Sequence, residues 1–289
     1  MIMISVVMPS KDRRDYLEKT LPTYLAQKEV GEIIVIIDGS TDGTLEYLNN
    51  IKKEEKRLRY IDNAINKGIP YSKNIGIANA KYDHIFIAED DVELTENFFS
   101  TLLQHMKVIG ADIICGRNIF RYDYESADEA INRTNLENGD YINKRMIEIS
   151  TSMNIGNDVL TTMSAAPVLG KTEIFQQIQF DERYKVNFWR EETDFQFSIQ
   201  EHGYKLGACS HAVCYNYVIK DDKGGVHSSS GLTRAKWILI NNWVFINKHE
   251  TFIKENFLVK SKYMYILKFT IRMGYLFLKR IILGTVRSS

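Results

Sequence analysis

Three adjacent carboxylates, Glu89, Asp90 and Asp91, follow directly on the apolar run at residues 84–88. A run this short and rich in branched residues reads as a strand buried on both faces. Carboxylates crowded at the end of such a strand repel one another and are costly there unless a cation is present. Their hard oxygens favour Mg²⁺ or Mn²⁺, ions that keep several waters and bridge the phosphates of a substrate. The alternative is a solvated acidic turn leading to the helix cap Thr95. A second acidic group, Glu191, Glu192 and Asp194, opens a stretch closed by Gly203. Clustered carboxylates raise one another's pKa, which suits a general base. An acidic first turn is also what a helix N-terminus favours by itself. A further acid, Asp38, ends the run at residues 32–37 and precedes Gly39-Ser40-Thr41-Asp42-Gly43-Thr44. Its carboxylate could accept from a base or a ribose, while Asp42 and Gly39 equally fit a helix cap and a turn.

Two other patterns carry less. Cys209, His211 and Cys214 invite a zinc reading. On a regular strand Cys209 and His211 share one face and Cys214 points the other way, which favours buried thiols over a shared ion. Neither the loop after Ser10 nor the loop after Asp38 has the Gly-x-Gly-x-x-Gly spacing that brings backbone close to a pyrophosphate. A dinucleotide cofactor is therefore disfavoured.

Residues of this kind need a frame that gathers strand ends. Residues 2–8, 32–37, 58–61 and 84–88 read as strands, and helical spacing runs through 15–27, 44–56 and 69–80, with Pro70 suited to a first turn. This alternation predicts a parallel sheet with helices on both faces. Ligands of such sheets sit beyond the carboxyl ends of the strands, where Ser10, Asp38 and Glu89 fall. Farther on, 121–148 is charge-dense and reads as a surface excursion, 191–202 as a helix, 204–217 as a strand, and 221–230 as a loop.

The whole chain has 289 residues, 44% apolar and 26% charged, with 4 Pro and 17 Gly, which is globular composition without linker or collagen character. Lys+Arg and Asp+Glu are both 37, so there is no electrostatic footprint for a nucleic acid. Three cysteines fit a reducing compartment better than a disulfide framework. The first ten residues lack a basic region before a long apolar one, so no secretory signal is expected. No uncharged apolar stretch reaches about 18 residues, so no spanning helix is expected.

Four groups of residues, taken in order, resemble glycosyltransferase family 2. The first is Pro9-Ser10-Lys11-Asp12-Arg13. The second is Ile37-Asp38-Gly39-Ser40-Thr41-Asp42, close to the family's Asp-Asp-Gly-Ser-x-Asp signature with Ile37 in place of the first acid. The third runs from Asn66-Lys67-Gly68 through Lys73-Asn74-Ile75-Gly76 and Ala80 to Glu89-Asp90-Asp91, a form of the D-x-D motif. The fourth is Phe180-Asp181-Glu182-Arg183-Tyr184, then Glu191-Glu192-Thr193-Asp194-Phe195 and Gly203-Tyr204. The resemblance extends from residue 4 to about 207.

It implies a GT-A fold: an α/β domain with a Rossmann-like, mostly parallel central sheet flanked by helices. The activity implied is inverting transfer of a sugar from a nucleotide diphosphate with Mn²⁺ or Mg²⁺. A UDP-sugar is the favoured donor, with a GDP- or dTDP-sugar as alternatives, and the acceptor is a glycan or a lipid-linked precursor. Residues 1–110 would form the donor half, 111–235 the acceptor half, and 236–289 a helical basic extension. Pro9, Lys11 and Asp38 would line the nucleoside pocket, and Asp90 would contact the ribose or sugar. Asp91 would be the direct metal ligand, joined by His227 of the later loop. Lys73 and Arg234 would reach the diphosphate. Glu192 would be the general base, with Glu191 and Asp194 beside it in the cluster. Rival readings are a sugar-phosphate nucleotidyltransferase, or a nucleotide-sugar-binding protein with a retired site.

The overall charge balance conceals an asymmetry. From Phe257 onward the chain carries Lys260, Lys262, Lys268, Arg272, Lys279, Arg280 and Arg287 and no acid. Removing those seven leaves 30 basic against 37 acidic residues in 1–256. At ~100° per residue, Lys268, Arg272 and Lys279 share one side of a helix, with Ile266, Met273, Phe277 and Ile281 opposite. This is the pattern of an interfacial helix. It predicts a peripheral protein on the cytoplasmic face of the membrane, attached through residues 257–289. A helix packed on the catalytic domain or in a homodimer has the same pattern.

Overall fold

The computed structural model describes residues 2–137, 139–218 and 231–286, with backbone only from 276 onward. The first half alternates as the spacing predicts: β1 (Ile4–Ser10), α1 (Arg14–Leu25), β2 (Val30–Ile37), α2 (Thr44–Glu54), β3 (Leu58–Asp62), α3 (Ile69–Ala78) and β4 (His84–Ile87). Then come β5 (Val92–Leu94), α4 (Phe98–Ile109), β6 (Ile113–Arg121), α5 (Ala127–Asn135), the paired β7 (Ile142–Asn143) and β8 (Glu148–Ile149), and β9 (Val159–Leu160). The remainder is β10 (Val168–Lys171), α6 (Thr172–Gln177), α7 (Glu191–Glu201), β11 (Leu206–Tyr217), α8 (Gly231–Lys248), α9 (Glu250–Asn256) and α10 (Lys262–Val286).

One sheet runs β3-β2-β1-β4-β10-β6-β11-β5, with β9 also paired to β11. Pairs among β1, β2, β3 and β4 are parallel, as is β6 with β11, while β10 runs antiparallel between β4 and β6. The expected boundary near residue 110 therefore falls inside a continuous sheet, because β10 is inserted beside β4. Buried Val, Ile and Leu side chains coat both faces, since helices cover both and neither face meets water. Gly76 lets α3 lie flat on the sheet: a Cβ there would stand 2.4 Å from Val7.

The region 121–148 is more ordered than its polarity suggests. Ser126 and Glu129 form a reciprocal capping box that starts α5, and Thr134 and Asn135 at its end accept from the buried Arg117 guanidinium. Only Ala130 and Thr134 of α5 are buried, too few for a visible apolar stripe.

The helices after residue 231 form a third core rather than a detached extension. Phe245, Ile253, Phe257, Val259, Tyr265 and Phe269 pack with Tyr184 and Phe197. Polar links reinforce the joint. Arg190 donates to Asn242, to Tyr265 and to the carbonyls of Met146 and Ile147. Asp194 is fully buried and accepts from Tyr184 Oη at 2.9 Å and Lys248 Nζ at 2.7 Å, with His249 Nε2 also at 2.9 Å. The other His249 ring nitrogen meets Glu201 at 2.9 Å.

Removing one member of a buried charged group leaves its partners desolvated and unpaired. Asp194→Asn should therefore cost about 3 kcal/mol, the low end of that range because Lys248 is partly exposed. Urea unfolding monitored by circular dichroism measures it; a midpoint equal to that of the wild type would show that the network carries no stability.

Candidate active site

The strand ends form one rim, and two loops close its first side. The β1 end and the β2 end are cross-tied: Thr41 N donates to Asp12 Oδ1 at 2.7 Å, and Arg14 N to Asp42 Oδ2 at 2.8 Å. Pro9, the next-to-last residue of β1, pairs with Ile36, and Lys11 follows the strand half-buried on the same rim. Asp38 is buried, and its carboxylate gathers the loop before α3, accepting from Asn63 Nδ2 at 3.0 Å, Lys67 N at 2.7 Å and Gly68 N at 2.8 Å. Three of its roughly four lone-pair sites are thus used within the chain. Asp38 shapes the pocket wall first, with little capacity left for a base. Gly39 is required at this junction, because its φ is +71° and a Cβ would meet the Asn66 backbone nitrogen at 2.7 Å.

The acidic triplet lies at the centre of the rim. Arg13, a residue to which sequence reasoning gave no role, is buried beneath it. Its Nη1 stands 3.1 Å from Asp91 Oδ2 and 3.9 Å from Asp90 Oδ1. Asn216 near the end of β11 presents its amide to both Glu89 and Asp91 at 3.5 Å. Burial and the charge on Asp91 push the Asp90 carboxyl up to about 7, although Arg13 opposes the shift. Burial also raises Glu89 well above the carboxylate range, and the charges of Glu192 and Asp91 add to it. Burial and mutual repulsion raise the Glu89 and Asp90 carboxyls even with Arg13 beside them, and the donors are all hard oxygens. A hard divalent cation fits that set. The three carboxylates do not converge on a single point: among the described residues the one three-ligand cluster is elsewhere. The fit is to an ion held by one or two carboxylates, with other ligands from water and substrate.

Glu192 at the acidic start of α7 lies near enough to Glu89 for its charge to raise the Glu89 carboxyl. Lys73 of α3 reaches across to the acids of α7. Its ammonium is buried and contacts Glu191 at 3.0 and 3.2 Å and Glu192 at 3.0 Å, with the Phe180 ring 4.8 Å away. Burial alone would lower the Lys73 pKa, but the charges of Glu191 and Glu192 outweigh it and hold the ammonium above its ordinary range. Glu191 is buried, and that burial, with the Glu192 charge, pushes its carboxyl up to about 7 against the pull of Lys73. Glu192 is 38% exposed and lines a small cavity with Lys73, Ile87, Pro167 and Phe180. Of the three acids it alone combines a fixed position with access from outside. Asp194, two residues on, projects about 200° around the helix from Glu192 into the network with Lys248 and His249. It is not available to an acceptor, which corrects the expectation that it belongs to the catalytic cluster.

Arg234 is in the first turn of α8, and its carbonyl accepts from Asn187 at 3.4 Å, next to Phe188, whose ring lies against Gly68. His227 lies outside the described residues. Arg13 and Asn216 escaped sequence reasoning. Arg13 stood inside a quoted motif, and Asn216 at the end of an expected strand, where only the strand pairing reveals its neighbours.

A family model for glycosyl transferase family 2 matches residues 5–169. The glycosyltransferase GlyG of Streptococcus pneumoniae serotype 4 is 34% identical over 122 residues, which is 42% of this chain and 40% of that protein. The GalNAc(5)-diNAcBac-PP-undecaprenol β-1,3-glucosyltransferase of Campylobacter jejuni is 35% identical over 104 residues, 35% of this chain and 33% of that one. The chain thus spans less than half the length of these relatives. Among solved structures, GalNAc-T7 with UDP, GalNAc and Mn²⁺ matches at a TM-score of 0.65 and 14% identity, over 88% of this chain and 50% of the other. The fold is GT-A, as the sequence resemblance implied.

The elevated carboxyls have a consequence for stability. Asp90 and Glu191, near 7 in the native state, bind protons that the unfolded chain releases above about 4. Their contribution is fully present below about 4 and is lost as pH rises through 7. In metal-free buffer the melting temperature should fall between pH 5 and 8 by more in the wild type than in Asp90→Asn, which cannot ionise. Parallel profiles for the two proteins would contradict this origin.

Proposed function

The chain belongs to glycosyltransferase family 2, and from that membership we propose that it is an inverting, divalent-metal-dependent glycosyltransferase. It moves a sugar from a nucleotide diphosphate, a UDP-sugar by preference with GDP- and dTDP-sugars as alternatives, to a hydroxyl acceptor. The observation that carries the reading is the position of Glu192, an accessible carboxylate held by Lys73 opposite the acidic triplet. In this reading the acceptor oxygen attacks the anomeric carbon, the bond to the diphosphate breaks, and its electron pair leaves with the diphosphate. Glu192 takes the acceptor proton. Lys73 keeps Glu192 aimed until that transfer. Asp91 would hold a Mn²⁺ or Mg²⁺ ion, which when bound would supply electrostatic stabilisation for a departing diphosphate. Pro9 and Lys11 line the nucleoside side with the loop that Asp38 organises, Asp90 faces the ribose or sugar, and Arg234 closes on the diphosphate from α8.

Glu192→Gln should bind nucleotide and Mn²⁺ as the wild type does while turnover drops by about 10² or more. Asp91→Asn should lose divalent-dependent donor binding, read by calorimetry with UDP and Mn²⁺. Full turnover in the first variant would remove Glu192 as base, and unaltered metal-dependent binding in the second would remove Asp91 as ligand.

The acceptor in this reading is a lipid-linked or surface-glycan precursor, met at the cytoplasmic membrane face. The Campylobacter relative acts on an undecaprenol-linked glycan, which supports it. No helix among the described residues is long and apolar enough to cross a membrane. The face of α10 that the sequence pattern assigned to lipid is partly used inside the protein: Ile266 and Met273 pack against the third core. A different stripe, Tyr263, Leu267, Ile271 and Tyr275 at four-residue spacing, faces outward together with Met264. This stripe would enter the interface. Leu267→Asp with Ile271→Asp should abolish co-sedimentation with anionic vesicles without lowering the melting temperature. Undiminished sedimentation would refute membrane docking through this face. Deleting residues 257–289 is the poorer test, since it also removes Phe257, Val259, Tyr265 and Phe269 from the core.

A further inference from the structure

β11 does not run as a regular strand: its register against β6 shifts between Ala208 and Val213. This bulge lies where β11 changes edge partner, from β9 at Gly207 and Ala208 to β5 at Cys214, Tyr215 and Asn216. Both Cys209 and Cys214 turn into the core, and His211 turns out to solvent. There it meets His105 near the end of α4 and Asp158 just before β9. The two imidazole rings stack with centroids 4.9 Å apart and an interplanar angle of 29°. One Asp158 oxygen contacts His105 Nδ1, and the other accepts from Ser210 N at 3.3 Å, so the carboxylate is fixed by the bulge itself. A ligand atom from each of the three residues lies within 4.8 Å of those of the other two.

We propose that His105, Asp158 and His211 form a second metal site, specific for a transition cation of the Zn²⁺ type. Two imidazole nitrogens and one carboxylate oxygen are the ligand set of a four-coordinate zinc site with one open position. They are a poor set for Mg²⁺, which wants an octahedron of oxygens. The site is separate from the acidic triplet. Its three ligands include none of the triplet's acids, and His211 lies within the bulge whereas Asn216 lies beyond it, where β11 pairs with β5. Closing the ligands onto an ion of about 2.0 Å bond length needs a contraction of about an ångström, which the exposed His211 on its bulge can supply. Asp158 and His105 are the more buried members and form the fixed part. The bound ion clips three distant pieces of chain together, α4, the loop before β9 and the β11 bulge. It thereby stabilises the edge where the sheet's pairing is interrupted.

The test uses the full chain without a histidine tag, stripped of metal, in four forms: wild type, His211→Ala, His105→Ala and Asp91→Asn. Calorimetry and thermal melts are run with Zn²⁺ alone and with Mg²⁺ alone, and Co²⁺ absorption reports coordination geometry. Wild type and Asp91→Asn should each bind one Zn²⁺ equivalent with a rise in melting temperature and tetrahedral Co²⁺ bands. His211→Ala, at an exposed position that leaves the core intact, should bind Zn²⁺ at least tenfold more weakly and lose the bands. His105→Ala should do the same, and Mg²⁺ should raise neither protein's melting temperature through this site. Zn²⁺ binding unchanged in His211→Ala, or lost in Asp91→Asn, or absent in the wild type, would each overturn the proposal.

Discussion

One ammonium between two carboxylates holds the candidate site together. Lys73 belongs to α3 and Glu191 and Glu192 to α7, elements 118 and 119 residues apart in the chain. The shared charge therefore fixes the position of the second half of the domain relative to the strand ends of the first. A lysine buried this deeply would shed its proton without partners; with two anions it keeps it. The two carboxylates are not equivalent. Glu191 gives both oxygens to Lys73 and is sealed, whereas Glu192 gives one and keeps the other side open. Replacing Lys73 by arginine would bring a planar fork suited to one bidentate partner. The lysine is a point donor that serves both acids.

The same helix is anchored a second time on its back. Asp194 binds Lys248, His249 and Tyr184, and Arg190 just before α7 binds Asn242 and Tyr265. Both anchors draw on α8 and its successors. The C-terminal helices are thus part of what positions Glu192. Acidic residues two apart on one helix take opposite duties for a geometric reason: Glu192 faces the rim and Asp194 faces the third core.

Much of this was legible in the sequence, and the reasons are local. The strands β1, β2 and β4 are buried on both faces, so their apolar runs are unbroken and their ends, at Ser10, Asp38 and Glu89, could be placed within about two residues. The helix α7 announced itself by its acids and by Gly203. What was hidden depends on pairing between distant segments. Arg13 and Asn216 meet the triplet only because β1, β4 and β11 share a sheet, and no periodicity encodes that. The direction of Lys73 is set by α7 across the rim. The β11 bulge breaks the alternation on which the reading of Cys209, His211 and Cys214 rested: between Ala208 and Val213 β11 advances five residues against two on β6, and an odd excess of three reverses which face follows. The polar helix α5 was missed because it buries too little to show a stripe.

The basic tail shows how a count of charges overstates an electrostatic effect. Seven basic residues follow Phe257. Yet Lys262 is paired with Glu250 at 2.8 Å, and Arg272 with Glu148 at 2.6 Å. Each pair is a local dipole rather than a free positive charge, so its attraction to an anionic leaflet falls off much faster with distance. Under the proposed membrane reading, the burden then shifts to the outward stripe of Tyr263, Leu267, Ile271 and Tyr275. Apolar burial of that kind is indifferent to ionic strength, whereas attraction between charges is screened within about 8–10 Å at moderate salt. Attachment through α10 would accordingly be only weakly salt-sensitive, with its orientation set by which face the third core leaves exposed. Helix packing inside the protein thus decides which side chains a membrane could meet, and the outward stripe lies roughly 100° around α10 from the face that helical periodicity alone gave.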